Sequence, residues 1–148
     1  MSTYTQIIYQ IVFGTKNREH TLTVNGREEL YKYIWGILKN KNCHLYRMNG
    51  VEDHLHIVTH LHPTVALSSI VKDIKVASSQ YIKEIKLFKN FNGWQDGYGA
   101  FTYSIKEKDR LIEYVKNQEG HHKLKSFKEE YMELLNELGV EFEEKYLL

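Results

Sequence analysis

The order of predicted elements points to an α+β fold, a ferredoxin-like α/β sandwich whose antiparallel sheet carries helices on one face, extended by two C-terminal helices. Three observations lead there. Apolar spacing along the chain switches between the two-residue period of strands and the three-to-four-residue period of helices, in the order strand, helix, strand, strand, helix, strand. That βαββαβ order belongs to the split βαβ sandwich. With 148 residues, 42% hydrophobic and 26% charged, the chain is long enough for one packed core and too short for two ordinary domains, so residues 1–148 are expected to form one domain.

The first strand is read from Tyr4 to Thr15, rich in Ile, Tyr, Val and Phe with partial alternation. Asn25 with Glu28 three residues later suggests a capping box, and Leu30, Ile34, Ile37 and Leu38 continue at helical spacing, giving a helix from about Gly26 to Asn40. Cys43 to Val51 and His54 to His62 then read as two strands, with Asn49-Gly50 and Glu52-Asp53 supplying turn residues for a hairpin.

After Pro63, Ile70, Ile74, Ala77, Tyr81, Ile85 and Phe88 mark an amphipathic helix over Thr64 to Lys89. Lys72, Lys75, Ser79, Lys83 and Lys86 recur at the same spacing on another side of it, a basic ridge that reads either as a solvated face or as a surface tracking phosphates. Glycines at 93, 97 and 99 make Phe91 to Gly99 a loop, which feeds a strand from Ala100 to Ile105. Two helices follow, Lys108 to Gly120 and Ser126 to Leu138, and a short acidic tail closes the chain.

Composition narrows the function classes. A net charge of +1 gives no general case for nucleic acid, so any such case must rest on where the 20 Lys and Arg lie. The lone Cys43 can form neither an internal disulfide nor the paired spacing of a zinc finger. Met1 to Phe13 lacks the features of a signal peptide, and no apolar run approaches the roughly 20 residues that span a bilayer. The expectation is a soluble cytoplasmic protein with no membrane partner.

Two groups of residues suit chemistry. His54 and His56 flank Leu55 on a predicted strand, where side chains two apart share a face about 6.5 Å apart along the strand and can meet one metal ion. Leu55, Ile57 and Leu61 form the natural core side, which leaves the histidines, with Val58, His60 and His62, on the open or partner-facing side. The pair reads equally well as two surface histidines, and a metal site needs a third ligand. Tyr114 and Gln118 lie one helical turn apart, beside the stripe of Leu111, Ile112 and Val115, with His121 or His122 a turn further along. They too can simply border a buried stripe.

His54-Leu55-His56 resembles the histidine, hydrophobic, histidine element of the HUH superfamily, and Tyr114-Val115-Lys116-Asn117-Gln118 resembles the tyrosine helix of its single-tyrosine transposases. Trp94-Gln95-Asp96-Gly97-Tyr98-Gly99-Ala100-Phe101, Gln118-Glu119-Gly120-His121-His122-Lys123 and Ser126-Phe127-Lys128-Glu129-Glu130-Tyr131 are similar to stretches of the insertion-sequence two-hundred-like family. Gly120 stands where relatives commonly carry a charged residue.

This resemblance implies a transposase that cleaves and rejoins single-stranded DNA at hairpin-bearing element ends. It implies Tyr114 as nucleophile, His54, His56 and Gln118 as ligands of Mg²⁺ or Mn²⁺, and a 5′-phosphotyrosine intermediate. It also implies a homodimer in which the tyrosine helix of one subunit acts in trans. Lys72, Lys75, Lys83 and Lys86 are candidate DNA contacts. A phenol with an ordinary pKa near 10 is a reluctant nucleophile, so a Lewis-acidic metal suits the chemistry. Two other readings compete. One is a domesticated relative that processes chromosomal repeat hairpins; the other is a non-catalytic ferredoxin-like nucleic-acid-binding module in which Tyr114 is structural. His60, His62, His121 and His122 receive no role.

Overall fold

The computed structural model describes residues 2–147. Its strands are β1 (Ile8–Gly14), β2 (His44–Gly50), β3 (His54–His60) and β4 (Gly99–Tyr103), and its longer helices are α1 (Val24–Asn40) and α2 (Leu67–Ile85). These six elements follow the expected βαββαβ order. The sheet order is β2-β3-β1-β4, with every pairing antiparallel. Both central strands are buried on both faces, which is why β1 reads as a nearly continuous apolar run with only partial alternation.

One face of the sheet presents Ile11 and Phe13 from β1 and Leu55 and Ile57 from β3 to Leu30, Ile34 and Leu38 of α1 and Ile70, Ile74 and Ile82 of α2. The other face was expected to be open or turned to a partner. Instead the chain covers it with α3 (Lys108–Lys116), the short α4 (Gln118–His121) and α5 (Phe127–Glu137). Leu111 and Val115 pack on Ile8 and Val58, while Phe127, Tyr131, Leu134 and Leu135 pack on Val12 and Phe101. The apolar stripes of these helices need a surface, and the second face of the sheet supplies one.

Several boundaries differ from expectation for local reasons. α1 starts at Val24 with Thr23 as its N-cap and no side-chain cap bond, so Asn25 lies inside the first turn and forms no capping box. Capping boxes occur instead at Ser104 with Glu107 and at Ser126 with Glu129. α2 is shorter than its periodicity suggested because Lys86 takes a left-handed conformation (φ 55°) and turns the chain. Its buried stripe is Ile70, Val71, Ile74, Ser78 and Ile82, which leaves Ile85 48% exposed. The helix expected over Lys108 to Gly120 is interrupted at Asn117, although the hydrogen bonds from Asn117 to Glu113 and from His121 to Asn117 keep the four-residue spacing across the break.

Candidate metal and nucleophile site

The period of β3 sends His54, His56 and Val58 to the face beneath α3 to α5, opposite Gly14, Val12 and Gln10 of β1. Both histidines are fully buried. Gly14, the cross-strand neighbour of His54, has no room for a larger residue: an added Cβ would lie 2.8 Å from the Phe127 ring and 3.0 Å from the Asp53 carbonyl oxygen. Without that Cβ, Phe127 stacks flat on the His54 imidazole, ring centroids 4.0 Å apart and planes within 5°.

Each imidazole is oriented from behind. His54 Nδ1 lies 2.7 Å from the Asp53 carboxylate. His56 Nδ1 lies 3.0 Å from the Gln10 side-chain amide, whose oxygen accepts from the Tyr103 hydroxyl at 2.6 Å. The Nε2 atoms therefore point forward, and they meet one atom. Oε1 of Glu130, on α5, lies 3.2 Å from His54, 3.1 Å from His56 and 3.0 Å from His122. The other carboxylate oxygen accepts from Gln118 Nε2 at 2.8 Å and from the Tyr114 hydroxyl. Gln118 Oε1 lies 3.2 Å from His54 Nε2. Asn49 of β2 donates to the Lys116 carbonyl at 2.9 Å and so fastens the end of α3 beside the site.

Burial opposes ionisation of Glu130, but hydrogen bonds from His122, His54 and His56 outweigh it and hold the carboxyl far below its ordinary range. Burial also opposes charging His54, yet its bonds to Asp53 and Glu130 raise its pKa above the ordinary 6.5. For His56 burial wins and the pKa falls. Tyr114 is pushed upward by desolvation and by the neighbouring Glu130 charge, so it holds its proton.

The donor set suits a divalent cation. With metal–donor bonds of about 2.1 Å, donors at right angles are separated by about 3.0 Å, close to the 3.0 to 3.2 Å separations around Glu130 Oε1. Donor atoms of His54, His122 and Glu130 all lie within 4.8 Å of one another.

The sequence-predicted Tyr114, His54, His56 and Gln118 thus come together within one chain. The predicted lysines lie elsewhere, on α2 and, for Lys86, at its C-terminal cap, against the opposite face of the sheet. Lys72, Lys83 and Lys86 are exposed there. Lys75 donates to the carbonyls of Gln95 at 2.9 Å and Gly97 at 2.5 Å, and its ammonium lies 5.3 Å from the centre of the Phe13 ring.

The sequence reading missed Glu130, Asp53 and Gln10. Glu130 had a signal, because it interrupts the apolar spacing of Phe127, Tyr131 and Leu134 on the buried side of α5. Of the four unassigned histidines, His122 joins the site. His121 lies beside the Tyr114 ring at 4.9 Å, His60 bonds the Ile7 backbone, and His62 bonds Thr64.

The family model described as "Transposase IS200 like" matches residues 3–118. No curated protein matches the sequence. Two solved structures share the fold. A candidate transposase from Deinococcus radiodurans R1 superposes with a TM-score of 0.59 at 21% identity, over 80% of this chain and 95% of that one. A REP-associated tyrosine transposase bound to a REP hairpin superposes with a TM-score of 0.61 at 16% identity, over 82% of this chain and 74% of that one.

Proposed function

This chain belongs to the IS200-like transposase family, and from that premise we propose that it cleaves and rejoins single-stranded DNA at hairpin-bearing ends through a 5′-phosphotyrosine on Tyr114. His54, His56 and Gln118 would hold the divalent ion, Mg²⁺ or Mn²⁺. One observation carries the reading: the tyrosine hydroxyl, the glutamine amide and both histidines converge on the single buried carboxylate of Glu130. The whole chain is taken as one domain, since α5 docks on the sheet built by the earlier residues.

The reaction conserves the phosphoester. The Tyr114 oxygen bonds phosphorus as its proton is given up to solvent, the bond from phosphorus to the 3′ oxygen breaks, and that oxygen takes up a proton in turn, so none is gained or lost overall. A later 3′-hydroxyl reverses the step on another strand. Tyr114 already directs its proton at Glu130, which fixes the orientation of the phenolic oxygen. Asp53 and Gln10 hold the imidazoles in place, and Phe127 shuts water from one side of His54. A bound divalent ion would supply Lewis acidity at the scissile phosphate.

Its DNA partner would be a single strand carrying hairpins, contacted in part by the lysines of α2. The likeness to a transposase solved on a REP hairpin favours a second reading, a relative acting on chromosomal repeat hairpins; matching element ends flanking several genomic copies would exclude it. A homodimer with exchanged tyrosine helices remains part of the proposal. The contacts of α3 and α4 with their own β2 and β3 favour a competing arrangement in which each helix serves its own sheet. Among the described residues no helix is long and apolar enough to cross a membrane; a cytoplasmic location rests on the single free, buried Cys43.

The test is incubation of the full chain with Mg²⁺ or Mn²⁺ and labelled hairpin DNA from its own gene flanks. An SDS-resistant adduct from the parent protein, absent from Tyr114→Phe and from the His54→Ala, His56→Ala double variant, supports the reading. Tight hairpin binding without an adduct under either metal would leave a non-catalytic binding module.

A further inference from the structure

Two of the groups that meet at the histidine pair come from beyond residue 118, where the family match ends. Glu130 rises from α5 and His122 follows the last turn of α4. We propose that Glu130 and His122 are themselves metal ligands, completing with His54, His56 and Gln118 an imidazole-rich centre that takes Mn²⁺ in preference to Mg²⁺. This inference rests on the reading of the histidine pair as a metal centre.

Burial supplies the first argument. Glu130 is 4% exposed and sits on the apolar side of α5, between Phe127 and Leu134, where an aliphatic side chain would satisfy packing. A carboxylate in that position is expensive unless positive charge meets it. What meets it is three imidazole nitrogens at 3.0 to 3.2 Å, from three different points of the chain, all around one carboxylate oxygen.

Orientation supplies the second. His54 and His56 each turn Nε2 toward Glu130 because Nδ1 is held from behind, by Asp53 and Gln10. The Asp53 carboxylate, an acceptor, fixes the His54 tautomer that leaves Nε2 free for a metal, and the Gln10 amide sets the aim of the His56 ring. His122 arrives from a different element and still brings its Nε2 to the same oxygen, with its donor atom and those of His54 and Glu130 lying within 4.8 Å of one another.

Donor chemistry selects the ion. Mg²⁺ prefers oxygen donors and keeps several waters, whereas imidazole nitrogens suit first-row transition ions, and a carboxylate with an amide oxygen accommodates Mn²⁺ among them. Glu130 also joins two functions, since the oxygen not facing the imidazoles accepts from Tyr114. The nucleophile is thereby positioned by a ligand of the ion.

The experiment is titration of the metal-free full chain with Mn²⁺, following the loss of the free-ion EPR signal, and repetition with Mg²⁺ as competitor. The parent protein is expected to bind one Mn²⁺ and to retain most of it against a hundredfold excess of Mg²⁺. Glu130→Gln, which keeps the shape of the side chain, should weaken Mn²⁺ binding at least tenfold and narrow the preference over Mg²⁺. His122→Ala should do the same and carries the test if Glu130→Gln fails to fold by circular dichroism. Folded variants of both residues binding Mn²⁺ within twofold of the parent, while the His54→Ala, His56→Ala variant loses it, would overturn this proposal and leave the histidine centre standing. A parent protein that binds no Mn²⁺ would overturn both.

Discussion

The hydroxyl of Tyr114 donates to the carboxylate of Glu130, sixteen residues further along the chain. The other oxygen of that carboxylate faces His54, His56 and His122, so one buried charge is shared between the tyrosine and three imidazoles. A change at either side is therefore felt at the other.

Tyr114→Phe separates chemistry from packing. It removes one hydrogen bond, while Glu130 keeps Gln118 and three histidines, so the loss of stability should be about 1–2 kcal/mol by urea denaturation. The SDS-resistant DNA adduct should vanish altogether. An adduct that persists would remove Tyr114 from the role of nucleophile.

Acid should narrow the difference between the parent and Glu130→Gln. The folded pKa of Glu130 is depressed from 4.5, so its contribution is present above that value and is lost as pH falls through the folded one. His54 has the opposite sign: raised from 6.5, it contributes fully below that value and loses its share as pH climbs through the raised one. His56, lowered from 6.5, favours the neutral form and destabilises the fold as pH drops beneath that value in both proteins. In EDTA the gap between parent and variant should be widest between about pH 5 and 6.5 and shrink on either side, as urea midpoints across pH would record.

Glycine substitutions should diverge in sign. An alanine at position 14 drives its Cβ against Phe127 and the Asp53 carbonyl, at a cost of about 1–3 kcal/mol, and loosens the stacking on His54. Gly36, inside α1, has nothing within 4 Å of an added Cβ, so Gly36→Ala should stabilise by about 0.5–1 kcal/mol. Thermal melts of the two variants provide the check.

Mixing Tyr114→Phe with the His54→Ala, His56→Ala variant asks which chain a tyrosine serves. The proposed homodimer with exchanged tyrosine helices predicts that the mixture regains the adduct that neither variant forms alone. A mixture that forms none would assign each tyrosine to the histidines of its own chain, as the contacts of Tyr114 and Gln118 with their own Glu130 favour.

The lysines of α2 should fall into two groups. Replacing Lys72, Lys83 and Lys86 by alanine should weaken hairpin binding and lower the salt slope by roughly 0.7 for each phosphate that is no longer neutralised. Lys75→Ala should mainly lower the melting temperature, because its ammonium is bound to the Gln95 and Gly97 carbonyls. An unchanged salt slope for the triple variant would remove the ridge from the DNA-binding surface.

The topology and the parity of β3 were legible because His-Leu-His with Ile57 fixes which side chains face α1 and α2. The covering of the second face was not. The stripe of Phe127, Tyr131 and Leu134 looks the same whether it docks on its own sheet or on another chain. Tyr114 and Gln118 were readable as helical neighbours, and the interruption at Asn117 escaped because the four-residue hydrogen bonds run across it. Glu130 left a trace, a charge within the apolar stripe of α5, but its partners needed the fold, and Asp53 needed it altogether, since an aspartate in a turn is ordinary until a tertiary contact buries it.

The shared carboxylate of Glu130 also constrains how this gene can decay. Losing His54 and His56 first would leave the buried Glu130 charge with only His122, Gln118 and Tyr114 against it, a defect of up to about 3–5 kcal/mol that threatens a marginally stable protein. Losing Glu130 first leaves imidazoles that can simply turn neutral. Inactive descendants that still fold should therefore descend through lineages in which Glu130 was replaced before His54 and His56, and the sequence of losses is written in the genealogy of degenerate copies.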